Sequence, residues 1–343
     1  MARRPTIDDL AAAAGVSTAT VDRVLNGRQN VREKTVRRVH EAARQIGFHA
    51  AGLIGRRLVS ELPVMRFGFV LSKERQSFYR NFAAEIQAAA SAVNGARIQP
   101  IVEFATSQSP SDFARLMRGM KGRVDAVAAA SVNHHEVTEA VAELKREGVP
   151  TFALLNDFAQ GERENYVGMN NLKVGRIAAS MMAMVVHGEG KLAVFVGGHR
   201  WHGHELRETG FRSHMRELAP RFTMLDTLVN LETRQLTYEA TLDLLARHPD
   251  LRGIYLAGGG MEGAIAALRE MRKPRAVALI VNELTPESRS ALQDGYVVLV
   301  ISTPLPALCR DLLGLMQEAV RSGSSDIHGQ HFLQPELFIA ESL

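Results

Sequence analysis

The stretch "GVSTATVDRVLNG", Gly15 to Gly27, decides how the first part of the chain is read. A glycine turn leads into Ser17, whose hydroxyl can cap a helix start. Val21, Val24 and Leu25 then recur at helical spacing and predict a buried face. Arg23 lies in the middle of the run, and Asn26-Gly27 supply a stop. Upstream, Thr6 followed three residues later by Asp9 forms a variant of the capping box. Ile7, Leu10, Ala11 and Ala14 continue it as an apolar helical stripe. Downstream, a third helix is predicted from Glu33 to Ile46, with Val36, Val39, Ala43 and Ile46 inward. Three short helices, the first two joined by a glycine turn, make a helix-turn-helix.

The charge distribution agrees. Residues 1–60 hold eleven Lys/Arg against five acids, whereas the 343-residue chain as a whole is only +4. A basic head on a near-neutral body points to a polyanionic partner. In this motif the second helix enters the major groove with its N-terminal residues toward the bases. Thr18 and Ala19 are therefore the expected base-facing residues, with Ser17, Thr20 and Arg23 fixing register on phosphate or guanine. Asn26 is expected near the backbone at the helix end, and Thr6 at the start of the first helix completes the DNA-facing set. Asp22 is the odd member, because an acid aimed at phosphate is repelled. It is expected to pair with an arginine or to accept from a cytosine amino group.

On these residues, "TIDDLAAAAGVSTATVDRVLNGRQNVREKTVRRVHEAARQIGF" resembles the DNA-binding headpiece of the lactose-repressor (LacI) family of bacterial regulators. The main departure is Asp22, where the family pattern carries serine. The resemblance implies a hinge helix in the following segment "HAAGLIGRRLVSELPVMRFGFVL", with a leucine wedged into the minor groove between basic flanks. Leu58 is the candidate wedge, Arg56 and Arg57 its phosphate contacts, and Leu53 the alternative. Ala50 and Ala51 replace the family's usual proline and asparagine.

From Arg66 onward, apolar strand-like runs alternate with helical patterns. Strands are predicted at 67–71, 98–103, 126–130, 151–155, 191–196, 253–257, 276–281 and 297–301, and helices at 82–93, 136–147, 174–186 and 234–246 among others. Such alternation predicts parallel sheets covered on both faces. The expected fold is thus α + α/β: a three-helix headpiece (1–50), a hinge helix or linker (51–63), and a two-lobed doubly wound domain (64–343). "YVGMNNLKVGRIAA" (166–179), "VFVGGHRWHGHELRETGF" (194–211) and "QPELFIAESL" (334–343) resemble corresponding runs of the family's domain of type I periplasmic sugar-binding fold. The lobes are expected at 64–168 plus 303–325 and at 169–302 plus 326–343.

In open α/β sheets ligands sit beyond the carboxyl ends of the strands, here the cleft between lobes. Phe78 and Tyr79 supply aromatic faces for a sugar ring. Asn156, Asp157, Trp201 and His204 are candidate wall residues. Arg207 in "RETGF", Glu283 after a strand and Ser302 at the end of the last predicted strand complete the set by resemblance. Relatives carry an Asn-Asp pair where this chain has "AGGGMEGA" (257–264). Gly259 and its neighbours offer only backbone amides there. Such amides bind an anion, as on an acidic or phosphorylated sugar, or simply make a tight turn.

Other function classes find little support. His199, His202 and His204 cluster around Trp201, but no cysteine is near and no metal is expected. No phosphate-loop or dinucleotide fingerprint is present, so no cofactor is expected, nor does any catalytic grouping emerge. With a single cysteine, no 18-residue apolar run and acids interrupting the basic start, a cytoplasmic protein without membrane contact is expected. The resulting expectation is a homodimeric transcription regulator on a near-palindromic double-stranded operator, controlled by a sugar or polyol effector. The alternative is a solute-binding protein without DNA function.

Overall fold

A computed structural model describes residues 4–26, 31–52, 54, 62–323 and 329–343. It divides into two compact units, one built on residues 1–64 with 94–97, the other on 65–93 with 98–343.

In the first unit, α1 (Ile7–Ala14), α2 (Thr18–Asn26) and α3 (Glu33–Gln45) form the three-helix head. Thr6 and Asp9 make the reciprocal capping box that their spacing predicts, and Gly15 closes α1 at φ 60°. A left-handed residue at that position satisfies the last carbonyls of α1 while turning the chain toward α2. Leu10, Val21, Val39 and Ala43 are fully buried, joined by Phe48 and Ile54. Residues 51, 52 and 54 are helical. Leu53, Arg56, Arg57 and Leu58 lie outside the described residues.

The second unit holds two sheets. The first runs β12-β5-β4-β3-β1-β2, the second β13-β11-β10-β9-β6-β7, with β8 also on β6. The strands of the first sheet are β1 (Val64–Ser72), β2 (Arg97–Ala105), β3 (Ala126–Ala129), β4 (Thr151–Leu154), β5 (Asn165–Met169) and β12 (Gly329–Leu333). Those of the second are β6 (Gly190–Val196), β7 (Phe222–Met224), β8 (Leu228–Val229), β9 (Leu251–Leu256), β10 (Ala278–Asn282), β11 (Val297–Ser302) and β13 (Glu336–Phe338). Each core has the doubly wound order 2-1-3-4-5, whose switch point lies between its first and third strands. Central strands are apolar throughout, with β3 and β4 wholly buried, because helices cover both faces.

The helices of this unit are α4 (Ser77–Ala92), α5 (Pro110–Gly119), α6 (His135–Arg146), α7 (Asn171–Val185), α8 (His202–Leu218), α9 (Arg234–Arg247), α10 (Met261–Met271), α11 (Pro286–Gln293) and α12 (Leu305–Ser322). The chain crosses between sheets after β5, after β11 and between β12 and β13. The last crossing falls at residues 334–335, not at 326. β12 pairs with β5 in the first sheet, so it belongs to the first lobe, and only β13 returns to the second. The expected lobe boundary is corrected accordingly.

Two helix pairs pack backbone to backbone. A β-carbon at Gly175 on α7 would overlap the Arg207 carbonyl oxygen on α8, and one at Gly210 would overlap the Leu172 carbonyl. Gly263 on α10 stands in the same relation to Arg234 on α9. These glycines occur where side chains would hold the helices apart, and the first pair fixes the height of Arg207.

Candidate functional site

The head presents one face of α2. Val21 and Val24 are buried, while Thr18, Ala19, Arg23 and Asn26 are exposed. Ala19, Arg23 and Asn26 are four and three residues apart, so they share a face. Ser17 accepts from the Thr20 amide and lies 2.9 Å from the Thr20 hydroxyl, which fixes the helix start. Thr6 is engaged with Asp9, its hydroxyl 2.8 Å from the carboxylate. Asp22 is half-buried and accepts from Asn26 Nδ2 at 2.7 Å. The acid thereby tethers the amide one turn along.

The second unit carries a cleft between its two lobes. Its walls come from the carboxyl ends of strands in both lobes. The first lobe gives Phe78 and Tyr79 after β1 and Asn156 after β4; the second gives Trp201, His204 and Arg207 after β6, Glu232 after β8, Gly259 after β9 and Glu283 after β10. Eight of the ten expected effector residues therefore converge. Phe78 and Tyr79 meet edge to face at 5.2 Å, and Trp201 stacks on His204 at 5.8 Å.

The other two expected residues are corrected. Asp157 does not line the cleft. It makes a buried two-point ion pair with Arg163 at 2.5 and 2.8 Å and accepts from Gln160 and Gln330, so its oxygens are used within the first lobe. Ser302 lies behind Glu283, donating to its carboxylate at 3.3 Å and accepting from the Leu284 amide. It holds Glu283 in place together with Thr303, which donates through both its amide and its hydroxyl. Burial nevertheless pushes the Glu283 carboxyl above its usual range against these donors.

Arg207 is buried. Its Nε donates to Asn171 Oδ1 at 2.7 Å and its Nη1 to the Ala257 carbonyl at 2.8 Å. Both partners are neutral, and among the described residues no carboxylate lies within ion-pair distance of it. Asn282, a buried residue that also lines the cleft, donates to the Leu256 carbonyl, while its Oδ1 has no partner among the described residues. Asn156 contributes differently: it donates to the Ser131 carbonyl and accepts from the Gly203 amide, tying one lobe to the other.

Sequence reasoning missed Lys73 and Glu232. Lys73 Nζ lies 2.5 Å from Glu232 Oε2, across the cleft and largely buried. Gln108 Nε2 donates to the same oxygen at 3.2 Å, and Gly259 N donates to Oε1 at 3.1 Å. Burial raises the Glu232 carboxyl, but Lys73, His204 and the Gly259 amide outweigh it and hold the pKa at about 2. His204 accepts from the Gly197 amide through Nδ1, which leaves Nε2, 3.6 Å from Glu232, to carry the proton. Burial lowers the His204 pKa to about 4 despite that carboxylate. Glu232 follows a two-residue strand and takes φ 53°, and neither property is legible in composition or periodicity. A non-glycine residue in that conformation costs about 1–3 kcal/mol and tends to occur at functional sites.

The three histidines near Trp201 are not drawn into one ligand set. The metal-like grouping among the described residues is His134, His135 and Glu136, consecutive in sequence. Among the described residues no helix is long and apolar enough to cross a membrane.

A helix-turn-helix head in one chain with a two-lobed α/β unit that carries a polar cleft is the layout of a DNA-binding regulator. The comparisons with known proteins agree. The pattern of the bacterial regulatory proteins of the lacI family matches residues 6–50, and that of the periplasmic binding protein domain matches residues 67–322. The chain belongs to the lacI family of transcriptional regulators. It is 27% identical to the HTH-type transcriptional regulator CelR of Thermobifida fusca over 99% of this chain and 98% of that one. Catabolite control protein A of Priestia megaterium is 32% identical over 42% of each chain. Among solved structures, a solute-binding protein of Agrobacterium vitis bound with alpha-D-tagatopyranose superposes with a TM-score of 0.73 at 18% identity, covering 81% of this chain and 95% of that one. One of Actinobacillus succinogenes with bound D-allose gives 0.73 at 17%, covering 81% and 98%. These likenesses establish the fold. A solute receptor without DNA function is not favoured, because the head matches a regulator family.

Proposed function

We propose that the protein is a repressor whose operator affinity is set by a sugar or polyol bound between the two lobes of the second unit. The observation that carries this reading is the pair of unspent polar groups in the cleft. Arg207 uses two of its three nitrogens on neutral acceptors, and Asn282 Oδ1 is buried without a donor. A buried amide oxygen without a partner costs free energy. A hydroxyl donating to Asn282 while another accepts from Arg207 removes that cost. Phe78, Tyr79 and Trp201 give the apolar C–H face of a ring something to pack on.

The repressor acts as a homodimer on a near-palindromic operator. Thr18 and Ala19 meet base edges, and Ser17, Thr20 and Arg23 set register. Effector binding changes the equilibrium between closed and open lobes, and this equilibrium is coupled to operator affinity. A thermal-shift screen of the purified chain against neutral monosaccharides and polyols tests the effector half of the reading. A ligand that raises the midpoint in the wild type but not in Arg207→Lys supports it. A panel without any response refutes it.

A further inference from the structure

We infer that Glu232 fills the anion position of the cleft with the protein's own carboxylate, and that it thereby closes that position to an anionic group of the ligand. This rests on the effector reading above, because it names a chemical group that the cleft does not accept at that position.

The geometry is that of a bound anion. Glu232 Oε1 accepts from the Gly259 amide just before α10, and Oε2 from Lys73 and Gln108 of the opposite lobe. Backbone N–H groups at a helix start together with a lysine form a usual anion-binding arrangement. Here the anion is covalently part of the chain. The surrounding glycines fit it closely. A β-carbon at Gly197 would overlap Glu232 Cγ, and one at Gly258 would overlap the His204 ring. Gly197 and Gly258 thus leave the room that Glu232 and His204 fill, and the Gly259 amide is already taken by Glu232.

The charges lead to selectivity. Lys73, one of the cations at the cleft, is neutralised by Glu232 at 2.5 Å. Arg207 lines the same cleft but is held by the neutral oxygens of Asn171 and Ala257. An anionic group brought to Lys73 and the Gly259 amide meets the Glu232 carboxylate already seated there, where repulsion is weakly screened. A neutral polyol meets only donors and acceptors.

The test needs no sugar. At φ 53° position 232 suits glycine, so Glu232→Gly removes the carboxylate without straining the backbone. Glu232→Asn, which also tolerates this conformation, serves if the glycine variant does not fold. The probes are sodium acetate and inorganic phosphate, against sodium chloride at equal ionic strength. Thermal midpoint and fluorescence are read on the full chain. Trp201, the sole tryptophan, reports directly because its Nε1 lies 3.4 Å from Gln108 Oε1.

Wild type is expected to respond to acetate and phosphate no more than to chloride. The Glu232 variant is expected to gain about 3 °C in either anion at tenfold excess over its dissociation constant, with Trp201 emission returning toward the wild-type maximum. Adding Lys73→Met to the variant should abolish the gain. A wild type that binds acetate as the variant does, or a variant indifferent to both anions, overturns the inference. Either result leaves the sugar-effector reading standing, and a silent sugar panel leaves the anion result standing.

Discussion

Gly175 and Arg207 lie back to back on neighbouring helices, so close that a methyl group on Gly175 would overlap the Arg207 carbonyl oxygen. The residue that most directly addresses the cleft is therefore placed by a residue without a side chain. Gly175→Ala should push α8 from α7 and move Arg207 away from Ala257. Overpacking of this kind costs about 1–3 kcal/mol, readable as a lower urea midpoint. Ligand response should fall much further than stability, while DNA binding by the head is retained.

Arg207→Lys tests the cleft itself. Lysine keeps the charge but loses the planar fork that donates to Asn171 and Ala257 at once. Effector affinity should drop by about a hundredfold, near 3 kcal/mol. Effector-free operator binding should change less than threefold in an anisotropy titration. Equal loss of both would mean that Arg207 is a fold residue only.

Asp22 gives a prediction on the head. Its carboxylate holds Asn26 at 2.7 Å on the exposed side of α2, so it both orients an amide and repels phosphate. Asp22→Ser should raise affinity for random DNA severalfold and narrow the gap between operator and random sequence. Phosphate contacts make both affinities fall steeply with salt, so the comparison is made at one ionic strength. Unchanged affinities would place Asp22 outside the interface.

His204 sets an acid limit. Its pKa falls from 6.5 in the unfolded chain to about 4 in the fold, so the unfolded state binds the extra proton between those values. This contribution is complete above pH 6.5 and is lost as pH falls toward 4, a loss of about 3 kcal/mol. Glu232 behaves similarly lower down, contributing fully above pH 4.5 and losing it toward pH 2. His204→Gln should flatten the upper part of the profile in urea titrations at pH 7, 5.5 and 4.5. A mutant with the wild-type slope would contradict the assignment.

Much of this was legible from residues alone. Thr6, Asp9 and Gly15 mark the ends of α1 because capping is local chemistry, and the apolar runs of β1, β3, β4 and β9 declare strands covered on both faces. The cleft residues Tyr79, Arg207 and Glu283 come from the family resemblance of the runs that carry them, each after a strand. Asp157 and Ser302 misled because being polar at a strand end says where a residue starts, not what it pairs with. Arg163 and Gln330, which claim Asp157, lie 6 and 173 residues away. Lys73 and Glu232, separated by 159 residues, were invisible for the same reason. No local pattern announces an ion pair formed only when two lobes meet.

In the function proposed above, one chain couples a sequence-reading head to a polyhydroxyl-binding cleft. The most direct measurement selects DNA fragments on the full-length protein and titrates the recovered sequence with the neutral ligand that raises its thermal midpoint. A near-palindromic site is expected, bound at least a hundredfold more tightly than random DNA, with affinity shifting tenfold or more on ligand addition and no shift in Arg207→Lys. Binding without sequence preference at moderate salt, or operator affinity indifferent to that ligand, would contradict it.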